Sequence, residues 1–364
     1  MCEHLQKRRD KLRSRLRKLG LPALLVTNFK NVTYLTGFTG DDSYLLVTPE
    51  DTILLSDFRY VEQIEQECPE LSLEVRPLGV TISQLVARVI KGAGIGKCGI
   101  EGDSVTVSMA ETLSSGVPDV EFVTTRGEVE QLRRIKDKHE LAAIRRAVSY
   151  AERAFAVARA LMSANQTERQ IADQLDHDIR RCGGVGCSFV PIVAVGDRAA
   201  LPHAPPSERQ IGEDEFVLID WGANEGLYMS DLTRVVVTGK ISPKLERIYR
   251  VVLNAQRQAI AAIKPGVLMK DVDQAARSVI AEAGYAKNFG HGLGHGIGLE
   301  IHESPRLAGT SEEPLRAGMI VTVEPGIYLP GWGGVRIEDD VLVTRDGHEV
   351  LSAVPKEFED CALP

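Results

Sequence analysis

Apolar residues near the start of the chain fall at Leu5, Leu12, Leu16 and Leu19, spacings of seven, four and three that share one helical face. Lys7, Arg8, Arg9, Lys11, Arg13, Arg15, Arg17 and Lys18 occupy the rest, and the stripe runs directly into a strand-like segment. The pattern predicts an amphipathic surface helix over 3–19, not a targeting peptide. Short β-rich runs at 23–26, 44–47 and 52–55, a helical stretch near 82–91 and a strand at 121–124 alternate as in a small α/β domain spanning 1–125. The segment GAGIGKCG (92–99) resembles a phosphate loop only in part. Lys91 stands where the first glycine should be and Cys98 replaces the Ser or Thr, so a turn is predicted.

From about residue 128 the texture changes, and a helical pattern runs through 160. Thr167, with Gln170 three residues on, forms a capping box for a second helix to about 181. Strand-like runs follow at 188–195, 215–220 and 232–238. The order then recurs. Ser242 and Pro243 suit N-cap and N1 of a helix that must stop before Pro265 and Gly266, a further helix covers about 270–284, and strands follow at 319–324 and 335–343. Two helices then several strands, repeated over about a hundred residues, predict an α+β domain (126–364) with an internal pseudo-twofold. A site between its halves would draw ligands from both.

Composition narrows the partners. In 364 residues, 43 Lys plus Arg face 51 Asp plus Glu, a balance of -8 that gives no footprint for nucleic acid or anionic lipid. No apolar run approaches the roughly 18 residues of a membrane span, and no hydrophobic stretch follows the basic N-terminal residues as in a secretory signal. A cytoplasmic protein is expected. The six cysteines are scattered without a two-residue gap and read as reduced thiols.

Four carboxylates sit in or beside strongly apolar β-type runs, where an unpartnered one is costly: Asp220 closes FVLID, Asp231 opens DLTRVVV, Glu324 lies in VTVEPG and Glu338 in VRIEDD. Taken singly, each is explained as a solvated strand end. His295, in GHGLGHGIG, adds an imidazole in a glycine-rich stretch that permits close backbone approach. One imidazole and four oxygen donors without a thiolate suit divalent ions such as Mn²⁺, Co²⁺ or Zn²⁺, and four carboxylates balance two of them. Arg336 is two residues from Glu338, so in one strand the two share a face about 7 Å apart and the guanidinium orients a metal carboxylate. His203 in LPHAPP, His291 and His302 are further candidates, while HESPR lacks the second His of the zinc-protease helix.

The ordered set Asp220, Asp231, GHGLGHG, EPG and VRIED resembles the metallopeptidase family of Xaa-Pro aminopeptidases, prolidases and methionine aminopeptidases, with its pita-bread fold. YLTGFTG (34–40) and SDFRY (56–60) resemble the creatinase-type N-terminal domain of the proline-specific branch, with a departure at Asp41 and Asp42. The resemblance implies two divalent metals, Mn²⁺ first, on Asp220, Asp231, His295, Glu324 and Glu338. It also implies a proton shuttle at Glu324, donation to the reacting carbonyl from His302 and His291, a proline subsite at His203, and a homodimer. Arg306 in HESPR resembles the carboxylate reader of dipeptide-cleaving relatives.

A tertiary Xaa-Pro amide has no N–H and a fixed φ, so it calls for a dedicated hydrolase. The leading expectation is therefore an Xaa-Pro aminopeptidase acting on peptides with proline second, with an Xaa-Pro dipeptidase as the alternative. Metal-free amidine hydrolysis and a catalytically dead binding module on the same fold are the other classes. The complete set of five ligand positions argues against both.

Overall fold

The computed structural model describes residues 3–212 and 216–363. Two compact units divide the chain, Met1–Arg133 and Arg134–Pro364.

In the first unit a mixed six-stranded sheet runs in the order Ser72–Arg76, Thr52–Asp57, Tyr44–Val47, Leu24–Val26, Lys97–Glu101, Glu121–Thr125. Helix Glu3–Lys18 buries Leu5, Leu12 and Leu16, as its stripe predicts, but Leu19 lies beyond its end and is 51% exposed. Arg8 and Arg9 are buried too. Their guanidinium groups donate to the carbonyls of Tyr34 and Leu35 at the end of helix Phe29–Thr36, which satisfies carbonyls that have no partner within that helix. The expected turn at 92–99 holds only in part, because Lys97, Cys98 and Gly99 are strand and pair in parallel with Glu121–Thr125, Gly99 also with Leu24. Asp41 and Asp42 are tied to SDFRY: Tyr60 Oη donates to Asp41 at 2.6 Å, and Arg59 pairs with Asp42.

In the second unit two helices followed by strands occur twice. Helices Lys138–Leu161 and Glu168–Cys182 pack together, as do Pro243–Ala262 and Met269–Glu282. The capping box at Thr167 and Gln170 is present, and Ser242 caps the helix that Pro243 opens. The helical pattern expected as one stretch from 128 is broken: Glu130–Arg133 is a separate short helix of the first unit, and Asp137 caps the long helix anew with Glu140 as its capping-box partner.

Two sheets carry the chemistry-bearing residues. One runs Leu232–Val237, Phe216–Trp221, Ile192–Val195; the strand expected at 215–220 begins at Phe216, Glu215 lying outside the described residues. Trp221 fixes that strand by stacking on Phe155, with centroids 4.2 Å apart, and by donating its indole N–H to Ala151 O. The other sheet runs Glu303–Leu307, Gly294–Gly296, Ile320–Val323, Asp339–Val343, His348–Val350. An isolated bridge between Thr233 and Glu338 joins them. The single strand expected at 335–343 is two, Gly333–Arg336 and Asp339–Val343, lying in different sheets. Arg336 and Glu338 therefore do not share a strand face. Gly326–Leu329 pairs with Gly333–Arg336 and brings Tyr328 inward.

Candidate active site

Asp220 and Asp231 come together through the register of their hairpin. Asp220 lies opposite Thr233, so Asp231, two residues before Thr233 and just ahead of strand Leu232–Val237, falls on the same side. His295 enters from Gly294–Gly296, where flanking glycine is required: a Cβ at Gly294 would stand 2.0 Å from Thr322 O. Among the described residues, ligand atoms of Asp231, His295 and Glu338 all lie within 4.8 Å of one another. Glu324 joins them, its Oε1 3.3 Å from His295 Nε2. Asp220 approaches through Arg336, whose Nη2 donates to Oδ2 at 2.6 Å.

This cluster is electrostatically unfinished. The side-chain atoms Asp220 Oδ1 and Asp231 Oδ1 are buried without a hydrogen-bond partner. Burial first, then the mutual repulsion of Glu338, Asp220, Asp340 and Glu324, holds the Asp231 carboxyl well above the usual range; burial, then Glu324 and Asp220, do likewise to Glu338. Burial drives Glu324 up to about 8.

His295 gives a sharper indication. Its Nδ1 lies 3.0 Å from Gly296 O, an acceptor only, so Nδ1 carries the proton. Burial pushes this imidazole down to about 4, so at neutral pH its Nε2 lone pair faces Glu324 and Asp231 Oδ2, 3.7 Å away. A lone pair aimed at carboxylates repels them unless a cation stands between. Unpartnered oxygens, an inward lone pair and the absence of sulfur donors fit divalent cations.

Around the cluster, side chains are committed. Thr233 Oγ1 donates to Glu338 Oε2 at 2.5 Å and accepts from Arg336 Nε at 3.1 Å. Arg336 thus holds Asp220 directly and Glu338 through a threonine. Arg336 Nη1 also donates to Tyr328 Oη at 2.9 Å. Arg234, buried beneath, donates to the carbonyls of Thr233 and Glu338 and pairs with Asp339. Asp340 Oδ2 accepts the Asp231 backbone N–H at 3.0 Å.

One cavity of about 1090 Å³ is lined by His203, Asp220, Asp231, His291, His295, His302, Arg306, Glu324, Arg336 and Glu338, so every residue singled out in the sequence reaches it. His203, His302 and Arg306 are exposed within it. The rings of His302 and His295 meet edge to face at 4.3 Å. Burial, then the charges of His203 and Arg306, lower the His302 imidazole.

His291 differs from the expectation that it donates to the reacting carbonyl. Nδ1 lies 2.8 Å from Gly292 O and must carry the proton, while Nε2 lies 3.0 Å from Tyr328 Oη. Both nitrogens are taken, and Nε2 is an acceptor. Tyr328 itself was not legible in the sequence, where it reads as a core aromatic; its alternation with Gly326 in GIYL is the one available signal. Thr233 carries a signal too, being two residues after Asp231 on a strand.

The family follows from comparison with known proteins. Residues 142–345 match the model of metallopeptidase family M24, and 8–135 match the creatinase/prolidase N-terminal domain. The chain belongs to metallopeptidase family M24. Its fold is thus a creatinase-type N-terminal domain followed by a pita-bread domain, as the resemblance implies. Among solved structures, an Xaa-Pro dipeptidase from Bacillus anthracis is 40% identical with a TM-score of 0.93, covering 97% of this chain and 99% of that one. An X-Pro aminopeptidase from Thermotoga maritima is 36% identical (TM-score 0.87; 94% and 99% covered). The prolidase from Pyrococcus horikoshii is 34% identical (TM-score 0.89; 97% and 99%).

Proposed function

We propose that this M24 metallopeptidase is an Xaa-Pro dipeptidase, which reverses the order of preference drawn from the sequence. The observation that carries this reading is Arg306. Among the described residues its guanidinium has no ion pair or hydrogen bond, yet it lines the cavity and lies opposite His295 in the strand register. An unengaged planar guanidinium in the same cavity as the cluster suits the terminal carboxylate of a dipeptide, which it can hold by two parallel hydrogen bonds. The dipeptidase and prolidase among the solved relatives add support.

Asp220, Asp231, His295, Glu324 and Glu338 would hold two divalent cations, Mn²⁺ first and Co²⁺ or Zn²⁺ next on donor type. When bound, such cations supply Lewis acidity at the scissile carbonyl. Glu324, with its carboxyl at the cavity wall, moves the proton from the attacking water towards the departing proline nitrogen. The exposed His302 imidazole donates to the carbonyl oxygen, and His203 borders the proline ring. Arg336 holds Asp220 in place. A cytoplasmic homodimer belongs to the same reading; the free thiols of Cys68, Cys98, Cys182, Cys187 and Cys361 suit a reducing compartment.

An Xaa-Pro aminopeptidase is the second reading, favoured by the cavity volume of about 1090 Å³. That lies just above the roughly 300–1,000 Å³ usual for small-molecule sites and leaves room for longer peptides. Arg306→Ala separates the two. A dipeptidase should lose roughly 2–3 kcal/mol in kcat/KM on Xaa-Pro dipeptides and almost nothing on Xaa-Pro tripeptides. Equal losses on both would favour the aminopeptidase.

A further inference from the structure

His302 and Arg306 reach the cavity from either side of an irregular stretch at the start of strand Glu303–Leu307. Arg306 pairs with His295 and Glu303 with the very next residue, Gly296, so Ser304 and Pro305 are extra residues in a bulge between the two cavity-facing side chains. The extra residues of a bulge are left unpaired, the ladder is locally disrupted, and the side chains beside it are re-aimed.

Glu303 adds a side-chain anchor on the His302 side of the bulge. It is absent from the cavity wall, and its Oε1 lies 2.6 Å from Lys136 Nζ, with the two side chains only 4% and 1% exposed. The slot is tight, since a Cβ at Gly298 would stand 2.5 Å from that same oxygen. Lys136 is itself anchored: its N–H donates to Gly318 O at 2.8 Å, and the next residue, Asp137, caps helix Lys138–Leu161.

Buried ion pairs give little net stability over an apolar pair of similar size, while removing one partner is costly. What this pair does is hold a bulged strand at a fixed height. We propose that Lys136 is a positioning residue which, acting through Glu303, sets His302 and Arg306 against the substrate. The proposal rests on the dipeptidase reading for the roles of those two residues.

Three variants test it: Lys136→Met, Lys136→Arg and the double Lys136→Met/Glu303→Gln, which removes the unpaired buried charge. Measured on the metal-loaded protein are Tm, metal equivalents and steady-state kinetics on an Xaa-Pro dipeptide. The His302 ring resonance in ¹⁵N-histidine-labelled protein is the substrate-free readout. Lys136→Met should lower Tm, and the double variant should recover most of it. Both should keep their metals and lose kcat by roughly 10- to 100-fold, the scale of a 1 Å misplacement, with the His302 signal shifted. Lys136→Arg should restore much of the kcat and the original signal. A double variant with wild-type Tm, kcat and His302 signal would overturn the proposal, leaving the pair purely structural. If the double variant stays unstable, a folded Lys136→Arg protein with a displaced His302 signal overturns it as well. A protein that cleaves no Xaa-Pro dipeptide defeats the functional reading, but the resonance still decides the positioning.

Discussion

The hydroxyl of Tyr328 gives its proton to His291 Nε2 at 3.0 Å while accepting from Arg336 Nη1 at 2.9 Å. Arg336 only donates, and His291 Nδ1 is spent on Gly292 O, so no other assignment satisfies all three groups. The phenol links the arginine that holds Asp220 to the histidine wall of the cavity.

Tyr328→Phe should therefore leave two polar groups unpaired in a buried place. A loss of about 1–3 kcal/mol in unfolding free energy is expected by urea denaturation, with metal content unchanged and kcat/KM reduced. Retained stability together with full activity would show the link to be idle.

Metal removal is the second test. The buried carboxylates of Asp231 and Glu338, each held high by burial and by like charges, are relieved by cations, so a chelator should lower Tm and abolish turnover. Asp231→Asn should lose at least one metal equivalent by elemental analysis. Full activity in metal-free protein would end the metal-dependent reading.

Much of this site was legible because its residues break local rules: acids in apolar strands, a histidine among glycines. Those violations sit on single positions and survive any error in element boundaries. Three things were hidden. Tyr328 obeys the rules, since a buried aromatic in a strand is ordinary core and only tertiary contacts give its hydroxyl a role. Arg336 and Glu338 were placed on one strand because VRIEDDVLV, with β-type residues at both ends and no Gly or Pro, reads as a single run; the chain instead changes sheets at Ile337, and Thr233 from a strand a hundred residues away bridges them. Lys136 lay inside what read as one long helix, where a lysine draws no attention.

Acid stability should report on His291. Burial lowers its imidazole from 6.5 to about 4, so the folded state binds fewer protons than the unfolded one between those values. Its contribution is complete above about pH 6.5 and is lost as pH falls towards 4, by up to about 3 kcal/mol at roughly 1.4 kcal/mol per unit. The wild-type stability curve should fall more steeply than that of His291→Gln across this window when both are followed by urea denaturation. Parallel curves would mean that His291 is not held neutral by its surroundings.

Thr233 offers the cleanest separation of shape from hydrogen bonding. Thr233→Val keeps the branched side chain and its packing on a fully buried strand but deletes the hydroxyl that donates to Glu338 Oε2 and accepts from Arg336 Nε. Glu338 is then free to rotate, and Arg336 loses one of its fixed points. Groups that orient metal carboxylates in this way typically contribute 10- to 100-fold in metal affinity. Isothermal titration with Mn²⁺ should therefore show about that loss for Thr233→Val, alongside a lower kcat at saturating metal. Thr233→Ser restores the hydroxyl at the cost of one methyl group, so its affinity should return to within a few-fold of wild type while its Tm drops slightly through lost packing. A weakened Ser variant with an unimpaired Val variant would mean that the methyl group, not the hydroxyl, positions Glu338, and the hydrogen-bond route from Arg336 to Glu338 would have to be abandoned.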